Sequence, residues 1–139
     1  MANKIALEEH FLCPGFEDYW KATVADVDPN ILKQVVGRLS DFGEQRLKSM
    51  DSAGIVRAVL GLTGPGVQAE RDTATAIRKA RAANDFLAAE VQKRPDRYSG
   101  FAHRRALLSD SGVPRSDVAL AGSIARCCPG PGLTCSGPG

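Results

Sequence analysis

No stretch of this chain holds the ~18 uninterrupted apolar residues that a membrane-spanning helix requires, which excludes a helical span from its expected architecture. The opening Met1-Ala2-Asn3-Lys4 lacks the apolar run of a secretory leader, so a cytoplasmic location is expected. Charge of one sign is not in excess either, since 18 Lys and Arg stand against 16 Asp and Glu for a formal net charge of +2. The basic residues are scattered, without a clustered face or interleaved aromatics, which argues against a nucleic-acid partner. Cysteines in a paired pattern are absent as well: Cys13 stands alone while Cys127, Cys128 and Cys135 crowd the end of the chain. That distribution is no disulfide framework. Adjacent cysteines without a nearby histidine also match no zinc-finger spacing, so the thiols read as reduced and incidental. No internal repeat is visible.

What the chain does have is alternation of strand-like and helix-like patterns over its first hundred or so residues. Lys4-Ile5-Ala6-Leu7 is a short, mostly apolar run that reads as a buried strand, and polarity begins abruptly at Glu8-Glu9-His10. An irregular excursion follows between Pro14 and Ser40, holding Phe16, Tyr19 and Trp20 and an Asp28-Pro29 step that starts a short helix at Asn30. Ser40 or Asp41 then caps a helix carrying Phe42, Leu47, Met50 and Ala53, with Gly54 as its left-handed stop. Ile55 to Leu62 is a β-branched, nearly continuous apolar strand, of the kind usually covered on both faces. Thr63-Gly64-Pro65-Gly66 breaks it into a loop.

A long helix is expected from Asp72 or Thr73 to about Arg94, because Ala76, Ile77, Ala80, Ala83, Leu87 and Val91 recur at three- and four-residue intervals. Pro95 ends it, and Tyr98 to Ala102 is a candidate third strand. Strand, helix, strand, helix, strand in that order predicts a parallel α/β sheet.

Glu8 and His10 are the pair with the clearest chemical content. Two apart on an extended strand they share a side, which offers one carboxylate oxygen and one imidazole nitrogen to a single divalent metal at the strand's carboxyl end. The spacing alone is a weak signal and fits a surface loop better. Glu9, between them, should face away. His103 ends the third strand and reads as a loop histidine; Phe16, Tyr19 and Trp20 read as core of the excursion, and Cys13 with Pro14 as a plain loop. Thr63-Gly64-Pro65-Gly66 is no phosphate loop, for proline removes a donor and no Gly-Lys-Ser/Thr follows.

Ala6-Leu7-Glu8-Glu9-His10-Phe11 after a Lys-Ile strand resembles the opening of the amidohydrolase-type decarboxylases that act on hydroxybenzoates, such as the γ-resorcylate and 2,3-dihydroxybenzoate decarboxylases. Three further stretches are similar in order and spacing: Arg46 to Ile55, Leu62 to Gln68, and Ala83-Asn84-Asp85 with Lys93 to Tyr98. The likeness runs from about residue 3 to residue 103. It implies the amino-terminal part of a (β/α)8 barrel, about three strands of it, with reacting groups on the carboxyl ends of the strands. It also implies that Glu8 and His10 are ligands of a Zn²⁺ or Mn²⁺ ion, and that Thr63, Gly64, Pro65 and Gly66 border a small aromatic carboxylic acid. The reaction would be non-oxidative loss of carbon dioxide, helped by a Lewis-acidic ion.

The family's proton-donating Asp and its later metal-binding His have no counterpart here, so the chain holds no catalytic residue of its own by this likeness. A complete barrel of the type needs ~200 residues or more. Little decarboxylation and low solubility from open sheet edges are therefore expected of the chain alone, and a family-type homo-oligomer is left open. Residues 1–103 form the barrel-like part. Residues 104–139 lack aromatics, Lys and Glu, accumulate Gly, Pro, Ser, Arg and Cys, and are expected to be of low order, with at most a turn or strand between Val118 and Ile124. The change at His103 is what a reading-frame change or an aberrant splice would give. Two other readings are open: a metal-dependent amidohydrolase cleaving a C–N or C–O bond, which usually opens with His-x-His rather than Glu8-Glu9-His10, and a non-catalytic α/β module that binds through its sheet edge or tail.

Overall fold

A computed structural model describes residues 3–21 and 23–103. The expectations for the tail, including its cysteines, fall outside the described residues. Three strands, β1 (Lys4–Phe11), β2 (Ile55–Leu62) and β3 (Tyr98–Gly100), form one parallel sheet in the order β1-β2-β3. Four helices connect them: α1 (Glu17–Lys21) and α2 (Pro29–Ser40) in the excursion, α3 (Glu44–Ala53) before β2, and α4 (Thr73–Lys93) before β3.

The helix signals act as their chemistry dictates. Asp28 accepts from the backbone N–H of Asn30 at 2.8 Å and of Ile31 at 3.2 Å, with Pro29 supplying a preset first turn for α2. Asp72 accepts from Thr75 N–H at 2.8 Å to start α4. Gly54 closes α3 in the left-handed region at φ 70°, where a side chain would be strained. One boundary differs from expectation. Ser40 closes α2 and Phe42 lies between helices, because Asp41 turns its carboxylate onto the N–H groups of Gly43 (3.0 Å) and Arg46 (2.6 Å) and starts α3 later.

β1 also runs farther than its apolar start. Glu9, His10 and Phe11 stay in the ladder opposite Leu60, Gly61 and Leu62, so the acidic and imidazole groups belong to the strand itself. β3 is shorter than expected and stops at Gly100.

The core lies between the sheet and the helices. Ala58, Leu60 and Leu62 of β2 meet Met50 of α3 and Ala83, Leu87 and Val91 of α4, all buried; each large side chain removed from water there contributes ~1.5–3 kcal/mol. Phe42 packs edge-on against Tyr98 with ring centroids 6.1 Å apart and also touches Phe11 and Phe86, both at 5.7 Å. The buried Tyr98 hydroxyl donates to the Phe42 carbonyl at 3.0 Å, which ties the entry of α3 to β3. The expectation that β2 is covered on both faces is not met. Its second face carries Ile55, Arg57, Val59 and Gly61, each half-buried, and Ile5, in register with Arg57, is 59% exposed. The buried residues of β2 all lie on the side that faces the helices.

Candidate functional site

Between Ala6↔Ala58 and Glu9↔Leu60, β1 advances by three residues while β2 advances by two, so Leu7 and Glu8 together oppose Val59. This is a β-bulge, and Glu8 sits in it at φ 63°, the one non-glycine residue with positive φ among the described residues. The premise of a regular extended strand through Glu8 and His10 therefore does not hold. An L-residue in that region is strained by ~1–2 kcal/mol, and bulges with such residues recur beside active sites, where they re-aim a side chain.

Past the bulge the alternation resumes. Glu9 is in register with the buried Leu60, and His10 with Gly61, on the opposite face. A Cβ added to Gly61 would lie 4.0 Å from His10 Nδ1, so the imidazole stands over a position with no side chain. Glu8, Glu9 and His10 are all exposed and line one open depression at the free edge of β1, with Arg38 of α2 and Gln45 and Arg46 of α3 on its other wall. Glu9 turns to the face opposite His10, as expected, although both residues border the depression.

The carboxyl ends of the other two strands meet nearby in the fold. Thr63 N–H donates to the Phe11 carbonyl at 2.9 Å, which seats the start of the Thr63–Gly66 loop against the tip of β1. Gly66 is buried at φ 52°, and a Cβ there would lie 2.8 Å from His103 Nε2 and 3.0 Å from Leu62 Cδ2. His103, beyond β3, is held by its backbone: its N–H donates to Asn84 Oδ1 at 2.8 Å and its carbonyl accepts from Asn84 Nδ2 at 3.2 Å. Its Nε2 is buried without a hydrogen-bond partner, and burial holds the imidazole below its ordinary pKa, hence neutral near pH 7. His103 is a packing wedge under the loop, more specific than the loop histidine expected from sequence.

The remaining candidates resolve toward structure. Cys13 is buried, and desolvation together with the Glu17 charge pushes its thiol up to about 11, which keeps it protonated and a poor ligand. Phe16 is buried and Tyr19 packs against the same core. Lys79 of α4 lies 4.4 Å from the Tyr19 ring centroid and 5.5 Å from that of Phe16, and Tyr19 donates to Glu70, an anchor of the excursion that no local motif announced.

As a donor set, one carboxylate and one imidazole fit Mn²⁺ or Zn²⁺ equally well. Among the described residues no group of three or more His, Cys, Asp or Glu could by itself hold a metal ion.

The comparisons with known proteins bear on this arrangement directly. No family model matches the chain. A gamma-resorcylate decarboxylase of Rhizobium is 44% identical over 111 residues, covering 73% of this chain and 30% of the relative, and that of Rhodococcus jostii is 43% identical over 102 residues with the same shares. Among solved structures, a dihydroxybenzoic acid decarboxylase of Polaromonas with bound manganese and the inhibitor 2-nitroresorcinol superposes with a TM-score of 0.67 at 40% identity, covering 74% of this chain and 30% of that one. The chain is similar, in sequence and in fold, to the gamma-resorcylate decarboxylases. A 5-carboxyvanillate decarboxylase of Novosphingobium aromaticivorans with bound manganese is likewise similar, at 34% identity and a TM-score of 0.64 over 72% of this chain and 33% of that one. The three parallel strands and their helices match part of the amidohydrolase-type (β/α)8 barrels of these decarboxylases, and the chain spans about 30% of the length of the curated relatives it matches. No helix among the described residues is long and apolar enough to cross a membrane.

Proposed function

We propose that this chain carries the first-strand half of the metal site of a non-oxidative decarboxylase acting on a hydroxybenzoate-type aromatic acid. Glu8 and His10 would hold a divalent ion, Mn²⁺ in preference to Zn²⁺, since relatives of similar fold were solved with manganese. Bound there, the ion supplies Lewis acidity toward a carboxylate and a neighbouring phenolic oxygen. The bulge re-aims Glu8 at the strand tip, Gly61 leaves room beside the His10 ring, and the loop Thr63, Gly64, Pro65 and Gly66 borders the aromatic acid. His103, neutral and wedged under Gly66, keeps that loop in place. Turnover needs the donors that these residues do not supply. The observation that carries the reading is the strained, bulged Glu8 two residues before His10 on a strand tip, a costly conformation for which packing offers no return.

A chimera tests it. Residues 3–103 replace the matching segment of the Rhizobium gamma-resorcylate decarboxylase, and release of carbon dioxide from 2,6-dihydroxybenzoate is followed with and without Mn²⁺. Metal-dependent activity is expected, with Glu8→Gln and His10→Ala each losing more than the roughly 10–100-fold that outer-shell partners typically cost. An active chimera indifferent to both substitutions removes these residues from the metal site.

A further inference from the structure

Arg46 has no part in the chemistry outlined above, yet it is the most heavily engaged side chain around the tip of β1. Its Nη2 donates to the His10 carbonyl at 2.9 Å and to the Arg38 carbonyl at 3.2 Å, and its Nε donates to the Asp41 carbonyl at 2.7 Å. Its own backbone N–H is fixed by Asp41 Oδ2 at 2.6 Å, and its guanidinium carbon lies 5.7 Å from the Phe42 ring centroid. A planar, permanently charged fork can satisfy several carbonyls at once in a geometry that an ammonium group cannot reproduce.

The carbonyl it reaches on β1 is a particular one. In a parallel ladder successive carbonyls point to alternate sides. The Phe11 carbonyl accepts from Thr63 N–H and so faces β2. The His10 carbonyl therefore faces the free edge, where no strand lies among the described residues. Two residues earlier the ladder slips at the bulge, so the pairing with β2 leaves the position of the tip less firmly specified than in a regular strand. We propose that Arg46 is a positioning residue for His10: by holding the His10 carbonyl from the free edge, it fixes where the imidazole stands after the bulge. That the imidazole is held for a metal rests on the function proposed above; that it is held by Arg46 does not.

The chain has two histidines, His10 and His103, so carbon-13 histidine labelling of the full chain yields one ring signal and one carbonyl signal for each. His103 serves as the internal control because Asn84, and not Arg46, holds its backbone. In Arg46→Met the His10 carbonyl and ring signals are expected to move while those of His103 stay, and the Mn²⁺ concentration that half-broadens the His10 ring signal should rise about 10-fold, the scale of losing an outer-shell partner. Arg46→Lys should recover only part of this. A shifted His10 carbonyl with an unmoved ring signal and an unchanged Mn²⁺ midpoint overturns the proposal and leaves Arg46 a helix staple. Should both histidines shift in Arg46→Met, signalling loss of fold, Arg46→Lys decides by the same criterion. If Mn²⁺ broadens nothing near His10 in the unsubstituted chain, the metal reading fails, and positioning then stands on the His10 ring signal alone: no movement in either variant overturns it.

Discussion

Glu8→Gly separates the cost of the bulge from its use. An L-residue at φ 63° is strained by ~1–2 kcal/mol relative to glycine. Glycine returns part of that through its freer unfolded chain, ~0.5–1 kcal/mol. The balance predicts that the substitution stabilises the metal-free protein by about 0.5–1 kcal/mol, an unusual sign for replacing any residue of a strand by glycine. Glu8→Ala keeps the strain and should be nearly neutral, and Glu8→Val, β-branched, should be worse than either. Mn²⁺ reverses the order. At a concentration 100 times its Kd, a ligand bound only by the folded state adds ~2.7 kcal/mol, and a chain without the Glu8 carboxylate forfeits most of it. The unfolding curves of the two proteins should therefore cross: Glu8→Gly more stable without metal, the unsubstituted chain more stable with it. Urea titrations followed by far-ultraviolet circular dichroism and by fluorescence of Trp20, the single tryptophan, give the midpoints. Equal stabilisation of both proteins by Mn²⁺, or a metal-free Glu8→Gly variant less stable than Glu8→Ala, would refute the argument that Glu8 is held in strain for a ligand.

Two further outcomes follow from the loop and its wedge. Gly66→Ala places a Cβ 2.8 Å from His103 Nε2 at a backbone angle of φ 52°; strain and overpacking together should cost about 2–4 kcal/mol, and a double-mutant cycle with His103→Ala should recover the overpacking share, whereas a loss below about 0.5 kcal/mol would show that the contact is soft. His103 is a base whose folded pKa lies below its unfolded value, so the unfolded chain binds the extra proton first; stability should be level above about pH 6.5 and fall as the pH drops below it. His103→Phe, measured by urea midpoints from pH 7.5 down to 5, should flatten that acid limb, and an unchanged slope would assign it to other groups.

How much of this was legible in the sequence divides along the range of the interactions involved. Caps and stops at Asp28, Asp72 and Gly54 act on backbone groups a few residues away, and their sequence signals carried over to the structure. The α/β order was legible for the same reason, because helix and strand periods are local. The boundary of β1 was not: Glu8-Glu9-His10 looks like the end of a strand by polarity, and only pairing with Leu60, Gly61 and Leu62 keeps it in the ladder. Coverage of β2 was misread because an apolar run reports what the residues favour, not how many layers are present to bury them.

The bulge, the least predictable feature of the site, is also the one that gives the Glu8 and His10 pair its chemical sense. A spacing of two residues promises a shared face only while the strand stays extended, and here it does not. What restores order past the slip is a contact between residues 36 apart in the chain, Arg46 reaching back to the carbonyl of His10. Local spacing nominated the donors; in the proposal above a guanidinium distant in sequence sets where one of them stands. Arg46 opens a stretch singled out in the sequence, but its contact with His10 is found only by asking of each exposed backbone carbonyl near a candidate ligand what satisfies it.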